Sequence, residues 1–214
     1  MITLYGRRNS INVQKALWTL DELGLAYEQV DAGGAAGGLD APAFRQLNPH
    51  GRVPVLTDGD TAIWESHTIV RYLAAAYGAG RLCPTAARAR ATPEAWMDWT
   101  LATLQPPIMG LFWGYYRTPA SLRDQGRNRQ LEEDSAVAVR ALDRWLSERP
   151  FVAGREFSMA DIPAGTLMFR YFEMGIATPT APAVQAWRTR LAERAPYREH
   201  VMRAFGELFG RLAY

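Results

Sequence analysis

Residues 48–66 combine backbone and side-chain features that could bind a small peptide-like anion. Val53 precedes Pro54, and a residue before proline is forced into extended backbone. Pro54 donates no backbone hydrogen bond, so it suits an exposed sheet edge or a cis peptide bond. The backbone of Val53 can then pair with a short extended peptide, as an added strand would. This segment therefore predicts a place where a peptide lies against the chain.

A carboxylate and a hydroxyl follow where a strand gives way to a helix. Residues 61–64 are predicted to pair with the strand after Pro54 through a turn at residues 58–60, and apolar periodicity over residues 66–77 predicts a helix. A helix start has free N–H donors and positive potential, so a small carboxylate could dock at Ser66, next to Glu65. The alternative is a plain hairpin leading into a helix that Ser66 caps.

This combination resembles the glutathione site of the glutathione transferase superfamily, and in particular of its bacterial serine-type, theta-like members. In that family a cis-proline follows the residue whose backbone pairs with the cysteinyl part of glutathione. An acidic residue and a serine then hold the γ-glutamyl end. The resemblance implies these roles for Val53, Pro54, Glu65 and Ser66.

The resemblance also places the activating residue between the first strand and the first helix, where this chain has Ser10. In serine-type members the hydroxyl hydrogen-bonds the glutathione sulfur and favours the thiolate, so the nucleophile belongs to the substrate. A hydrogen bond to a charged group contributes roughly 1.5–3 kcal/mol and a helix start roughly 0.3–1 kcal/mol. Together they could lower the thiol pKa, normally ~8.5, by about 1–3 units. The alternatives are Ser10 as a helix cap only, a sulfur contact from Asn9 or Asn12, and Tyr5 as the activating residue.

Other residues near these positions receive weaker assignments. Arg52 and His50 are candidates for the glycyl carboxylate of glutathione, and Asn12 is counted among the glutathione-binding residues. Lys15, which follows Gln14 on the first helix, is expected to be solvated, as is Gln14. His67 is expected to be peripheral.

The helical part of the chain is expected to supply a pocket for a hydrophobic electrophile. Such pockets are mainly apolar with a few polar groups. An aromatic cluster follows Pro106-Pro107, and the candidates within it are Phe112, Trp113 and Tyr116.

The predicted elements run βαβ and then αββα, which is the thioredoxin-like order. The predicted fold class is therefore an α/β thioredoxin-like domain over residues 1–78, a linker over 79–91 and an all-α helical domain over 92–214. Thr92-Pro93-Glu94 predicts the start of the first helix in that domain, and Pro106-Pro107 a bend within it. Two short helices, over about residues 183–194 and 197–209, are expected to end the chain.

Ser158 and Asp161 predict a reciprocal capping box, in which each side chain bonds the other residue's backbone N–H. Such a device is structural, because each of its bonds contributes on the order of 1 kcal/mol to a helix start.

Composition excludes several other classes. The single cysteine, Cys83, excludes an internal disulfide and a two-cysteine redox motif. Three histidines without metal-ligand spacing predict no metal site. The formal charge of +2 and the absence of a nucleic-acid module predict no nucleic-acid partner. The apolar runs stay well short of the ~20 residues of a membrane span, and no signal peptide is recognisable, so cytoplasmic residence is expected.

The predicted function is that of a detoxifying glutathione transferase. Glutathione is its expected co-substrate, a small hydrophobic electrophile is its expected second substrate, and no cofactor is expected. The resemblance also implies a homodimer. The alternatives are a non-catalytic glutathione- or ligand-binding protein of the same fold, an interaction module, and a glutathione-dependent peroxidase or isomerase. Nothing in the sequence indicates which electrophile is physiological.

Overall fold

The structure, a computed structural model, describes residues 1–212. Its N-terminal part has the predicted βαβαββα order. The elements are β1 Ile2–Tyr5, α1 Ile11–Leu23, β2 Tyr27–Val30, α2 Pro42–Leu47, β3 Val55–Asp58, β4 Thr61–Trp64 and α3 Ser66–Tyr77. The helix predicted over residues 66–77 is confirmed at both ends.

The four strands form one mixed sheet in the order β2-β1-β3-β4. β1 runs parallel to β2 and antiparallel to β3, and β3 is antiparallel to β4. Because β3 has a partner on each side, the expectation that Pro54 marks an exposed edge is wrong. The other alternative is correct, since the Val53–Pro54 peptide bond is cis.

The C-terminal part is helical, as predicted. Its helices are α4 Ala87–Trp99, α5 Gln105–Leu111, α6 Gln125–Leu146, α7 Asp161–Phe172, α8 Pro182–Ala192 and α9 Ala195–His200. Two π-helical segments, Thr100–Leu104 and Phe112–Arg117, flank α5. The last two residues of the predicted helical domain lie outside the described residues.

Two predicted helix limits are wrong. α4 starts at Ala87 and runs through Pro93, because the alanine- and arginine-rich residues 87–91 favour helix strongly enough to extend it past the proline. The helix expected to reach residue 209 ends at His200, and a separate 3₁₀ turn, Gly206–Leu208, follows.

The two prolines Pro106 and Pro107 fall in the first turn of α5, directly after the π-helical segment Thr100–Leu104. A proline in a helix lacks the N–H donor and crowds the preceding turn. A wider π turn at this point is one of the known ways in which a helix accommodates that crowding.

Helix α1 packs against both parts of the chain. Its Trp18 is fully buried, with ring centroids 4.8 Å from Tyr197 and 5.6 Å from Phe157. Gly165 of α7 lies so close that a Cβ there would be 3.3 Å from the Trp18 ring. The carboxylate of Glu22 also pairs with Arg194. These contacts fix α1, and with it the loop that precedes it, between the two parts.

Asp161 organises the start of α7, although not as a complete capping box. Its carboxylate accepts from the backbone N–H groups of Val152 and Ser158, each at 2.9 Å, and from Trp187 Nε1 at 2.9 Å. Ser158 Oγ accepts from Ala160 N at 3.3 Å and not from the Asp161 N–H, so only half of the predicted exchange is present. Burial raises the pKa of Asp161 to about 6, which leaves it ionised at neutral pH.

Candidate active site between the sheet and the helical part

Ser10 stands immediately before α1 with its hydroxyl uncommitted to the helix. Its backbone is extended, with φ −77° and ψ 121°, and its carbonyl accepts from Gln14 N at 2.9 Å. Its side chain forms no capping hydrogen bond. The first N–H groups of a helix point toward this position and give it positive potential. The hydroxyl is therefore placed to donate to an anion.

Gly6 brings the loop after β1 against the chain before β3. Its φ of +148° is one that L side chains rarely adopt. A Cβ on Gly6 would lie 2.5 Å from Val13 Cγ2 and 3.2 Å from the Cβ of Val53. Only glycine therefore permits the close approach that sets Val53 beside the loop leading to Ser10.

The loop that presents Val53 is held by a side chain that sequence reasoning missed. Asn48 is buried, and its amide donates to Arg52 O at 2.8 Å while accepting from His50 N at 3.0 Å. His50 and Arg52 themselves are exposed, and the His50 ring lies 5.1 Å from the ring of Trp64. An asparagine before a proline commonly bonds the local backbone of such a loop, and this is the signal that could identify Asn48.

Glu65 and Ser66 differ in conformation and in exposure. Glu65 occupies the N-cap of α3 with φ +68°, a strained conformation for a non-glycine residue that costs about 1–3 kcal/mol. Its side chain is exposed. Ser66 is the first residue of the helix, not its cap, and its Oγ donates to Asn12 Oδ1 at 3.3 Å. That bond joins the start of α3 to the start of α1.

Beneath this bond lies a buried amine. Lys15 is fully buried, and its Nζ lies 3.0 Å from Asn12 Oδ1, 3.0 Å from Gln105 Oε1 and 3.2 Å from His67 Nε2. The expectation that Lys15 is solvated is wrong, and so is the same expectation for Gln14, which is 3% exposed. His67, expected to be peripheral, is also buried.

Burial determines the charge of this cluster. It lowers the pKa of Lys15 to about 7, with the negative charge of Glu65 acting in the opposite direction. It also lowers the pKa of His67 to about 2, helped by the positive charge of Lys15, so the imidazole is neutral. α1 is buried on almost every side, including the position of its lysine.

The aromatic residues predicted to form the electrophile pocket divide into two kinds. Phe112 and Tyr116 are buried and stacked, with ring centroids 5.8 Å apart, and Phe205 covers Tyr116 at 4.9 Å. Trp113 is 42% exposed. Packing in the core is therefore enough to explain why Phe112 and Tyr116 are aromatic. Contact of Phe112, Trp113 and Tyr116 with a substrate stays a prediction.

A cleft of about 490 Å³ opens beside the loop that carries Ser10. Its walls come from residues 7–9 after β1, residues 31–36 after β2 and residues 203–211 near the C-terminus. It therefore lies between the sheet domain and the helical part. Within residues 1–212, no group of three acidic, histidine or cysteine side chains could hold a metal ion. Over the same range, no helix is long and apolar enough to cross a membrane.

Two family models match this chain, one for the N-terminal domain of glutathione S-transferases over residues 4–91 and one for the C-terminal domain over residues 104–195. Glutathione S-transferase GstB of Escherichia coli (strain K12) is 40% identical over 204 residues, which cover 94% of this chain and 98% of GstB. The chain belongs to the glutathione S-transferase family. The predicted enzyme class is thereby confirmed.

Solved structures agree with this membership. The theta class glutathione S-transferase from Xanthomonas axonopodis pv. citri with glutathione bound is 46% identical to this transferase, with a TM-score of 0.90. The match covers 95% of the transferase and 98% of that chain. Among sequence relatives, glutathione S-transferase F10 of Arabidopsis thaliana is 29% identical over 87% of the transferase and 90% of its own length. The predicted thioredoxin-like and helical fold and the theta-like resemblance are confirmed.

Proposed function

We propose that this transferase lays glutathione along Val53 and activates its sulfur with the hydroxyl of Ser10. The observation that carries the proposal is the junction of α1 and α3. Ser10 precedes α1 with a hydroxyl that caps nothing, and the bond from Ser66 to Asn12 ties the second helix start to the same few residues. One extended tripeptide can span two such helix starts, with its thiol near one and its α-carboxylate near the other.

The remaining contacts follow from the chemistry of glutathione. The exposed carboxylate of Glu65 suits the α-ammonium group, and the Ser66 hydroxyl and helix start suit the α-carboxylate. The backbone of Val53 pairs with the cysteinyl unit, with Pro54 fixing the direction of the chain. Arg52 and His50, exposed on the loop that Asn48 braces, are placed to meet the glycyl carboxylate.

Thiolate formation at Ser10 requires no metal and no general base. A hydrogen bond from the hydroxyl to a charged sulfur and the positive potential of α1 together favour the thiolate by roughly 2–4 kcal/mol. That lowers the thiol pKa by about 1–3 units from its usual ~8.5. The bound sulfur is then largely ionised at neutral pH and attacks an electrophile in the neighbouring cleft.

The wider role proposed is detoxification in the cytoplasm by a homodimer. In this proposal residues 1–78 form the glutathione-binding domain, residues 79–91 the linker, of which 87–91 already belong to α4, and residues 92–214 the domain that selects the electrophile. Phe112, Trp113 and Tyr116 are its candidates, although none of them is among the residues that line the cleft beside Ser10. Light scattering on the purified chain tests the dimer, and a mass near 24 kDa, that of one chain, would contradict it.

Replacement of Ser10 by alanine tests the activation step. We expect kcat/KM with 1-chloro-2,4-dinitrobenzene to fall by about 10- to 100-fold, since one charge-assisted hydrogen bond is lost. Glutathione affinity should change little. The absorbance of the bound thiolate near 240 nm, followed against pH, should show a pKa at least one unit higher in the variant.

Ser147→Ala is the matched control, because that hydroxyl bonds only Arg144 O at the end of α6. It should leave the thiolate titration unchanged. A Ser10→Ala enzyme with the parent's thiolate pKa and turnover would refute the role of the hydroxyl. Retention of glutathione by the parent chain without conjugation or peroxide reduction would favour a non-catalytic binding protein.

A further inference from the structure

The cleft beside Ser10 has an unusual charge for a pocket that receives apolar compounds. Four arginines line it, Arg7, Arg8, Arg203 and Arg211, against two acidic residues. One of the acids, Glu207, already accepts a hydrogen bond from Asn9 Nδ2 at 3.2 Å. Outside the lining, Arg203 makes an exposed ion pair with Glu199 Oε1 at 3.6 Å, and such exposed pairs contribute little. The lining side chains have a formal excess of positive charge beside the activating loop.

The rest of the lining is apolar. Ala35 and Ala36 come from the loop after β2, and Ala204 and Leu208 from the C-terminal segment. A lining that combines apolar and cationic side chains matches a ligand whose carbon body is hydrophobic and which carries an anionic group. Arginine suits such an end because its planar guanidinium bonds carboxylate oxygens in pairs.

The C-terminal wall of the cleft is held in place by main-chain contacts. Arg117 is fully buried, and its Nε donates to Arg211 O at 2.6 Å. Gly210 N donates to Tyr116 O at 2.9 Å. The backbone of Arg211 is therefore held in place, while its side chain is exposed. A cation on a fixed backbone can contribute to selectivity, because less chain entropy is lost when a ligand binds.

We infer that the electrophile of this transferase is an organic anion, an apolar compound carrying a carboxylate or a similar acid, whose charge is held by Arg203 and Arg211. This inference rests on the proposed function, because it places the electrophile in the cleft that adjoins Ser10. Attack by the thiolate forms the carbon–sulfur bond and expels the leaving group with its electron pair, while the acid of the substrate remains unchanged at the arginines.

A pair of electrophiles, one with a carboxylate and one with its uncharged methyl ester, tests the inference. They are 4-chloro-3,5-dinitrobenzoate and its methyl ester, each corrected for its uncatalysed rate with glutathione. We expect kcat/KM for the benzoate to exceed that for the ester by about tenfold, a factor that corresponds to 1.4 kcal/mol. The preference should shrink as salt is raised, because exposed charges are screened.

The double variant Arg203→Gln/Arg211→Gln should reduce the ratio of the two kcat/KM values to near one. Arg129→Gln, on the exposed face of α6, is the matched control and should keep the parent's ratio. An equal ratio in the parent and the double variant would overturn the inference.

A binding measurement separates this inference from the proposed function. The unreactive pair 3,5-dinitrobenzoate and methyl 3,5-dinitrobenzoate is titrated calorimetrically into the enzyme in the presence of S-methylglutathione. Tighter binding of the benzoate, lost in the double variant, supports an anion-selective cleft even if turnover is absent. Equal affinities overturn the inference even if both chlorinated electrophiles are conjugated.

Discussion

Replacing Lys15 by methionine should remove the pH dependence that this buried amine confers on stability. Methionine nearly preserves the length of the side chain and has no charge. The Lys15 ammonium is costly in the folded state because it is fully buried, and its pKa is about 7 there instead of 10.5. Between these values the unfolded chain binds a proton that the folded chain does not, so stability rises with pH.

The size of the effect follows from the pKa shift. Each pH unit within the window adds at most about 1.4 kcal/mol to the free energy of unfolding of the parent. Below pH 7 the amine is charged in both states and the penalty is constant. Between pH 7 and 9 the parent should therefore gain about 2 kcal/mol relative to Lys15→Met. The contributions of the other titrating groups largely cancel in this difference, since both proteins contain those groups.

Urea unfolding followed by tryptophan fluorescence at pH 7, 8 and 9, at one ionic strength and one protein concentration, measures this difference. Arg129→Met is the control, because it exchanges a cationic side chain for the same thioether at an exposed position of α6. Lys15 is the only lysine of the chain, so a sample with ¹³Cε-labelled lysine gives a single side-chain signal that titrates directly. A free-energy difference that stays flat from pH 7 to 9, with a lysine signal that titrates near 10, would refute the argument.

Three further substitutions have definite expected outcomes. Asp161→Ala should lower the free energy of unfolding by about 3–5 kcal/mol in urea, because four buried donors lose their acceptor. Asp124→Ala, which removes an exposed cap, should cost only about 1 kcal/mol. Gly6→Ala should lower the free energy of unfolding by about 2–4 kcal/mol in thermal unfolding and should reduce turnover. Gly24→Ala, which is also at positive φ but has open space around it, should cost about 1–2 kcal/mol and leave turnover unchanged. Equal losses in the two variants would contradict the close approach at Gly6. Asn12→Ala should raise KM for glutathione about fivefold, and a change confined to kcat would contradict its supporting role.

Much of the N-terminal fold could be predicted because its signals are local. Alternating apolar residues, a proline that excludes helix before it, and a glycine turn each determine the conformation of a few neighbouring residues. The hairpin strand predicted over residues 61–64 and the helix predicted over residues 66–77 depend on such signals, and their limits agree with the structure. The placement of Ser10 and Ser66 at helix starts follows from the same patterns.

The features that could not be predicted depend on tertiary contacts. Lys15 is buried because α3 and α5 close over it, and no pattern within α1 reports what packs on its polar side. The cationic cleft joins Arg8 to Arg203 and Arg211, which are about 200 positions away in the chain. The start of α4 was mispredicted because a proline after threonine resembles a helix start even inside a longer helix.

The burial of Trp18 and Lys15 against the C-terminal helices bears on how chimeras of this enzyme can be made. If the sheet domain were expressed alone, the indole of Trp18 would be exposed to solvent, and the amine of Lys15 would lose its hydrogen bond to Gln105. Grafting the helical half of a relative onto this N-terminal half would succeed only if the donor brings a glutamine opposite the lysine and a small residue where Gly165 receives the tryptophan. The crossover point that preserves folding is therefore set by the partners of α1, and not by the linker.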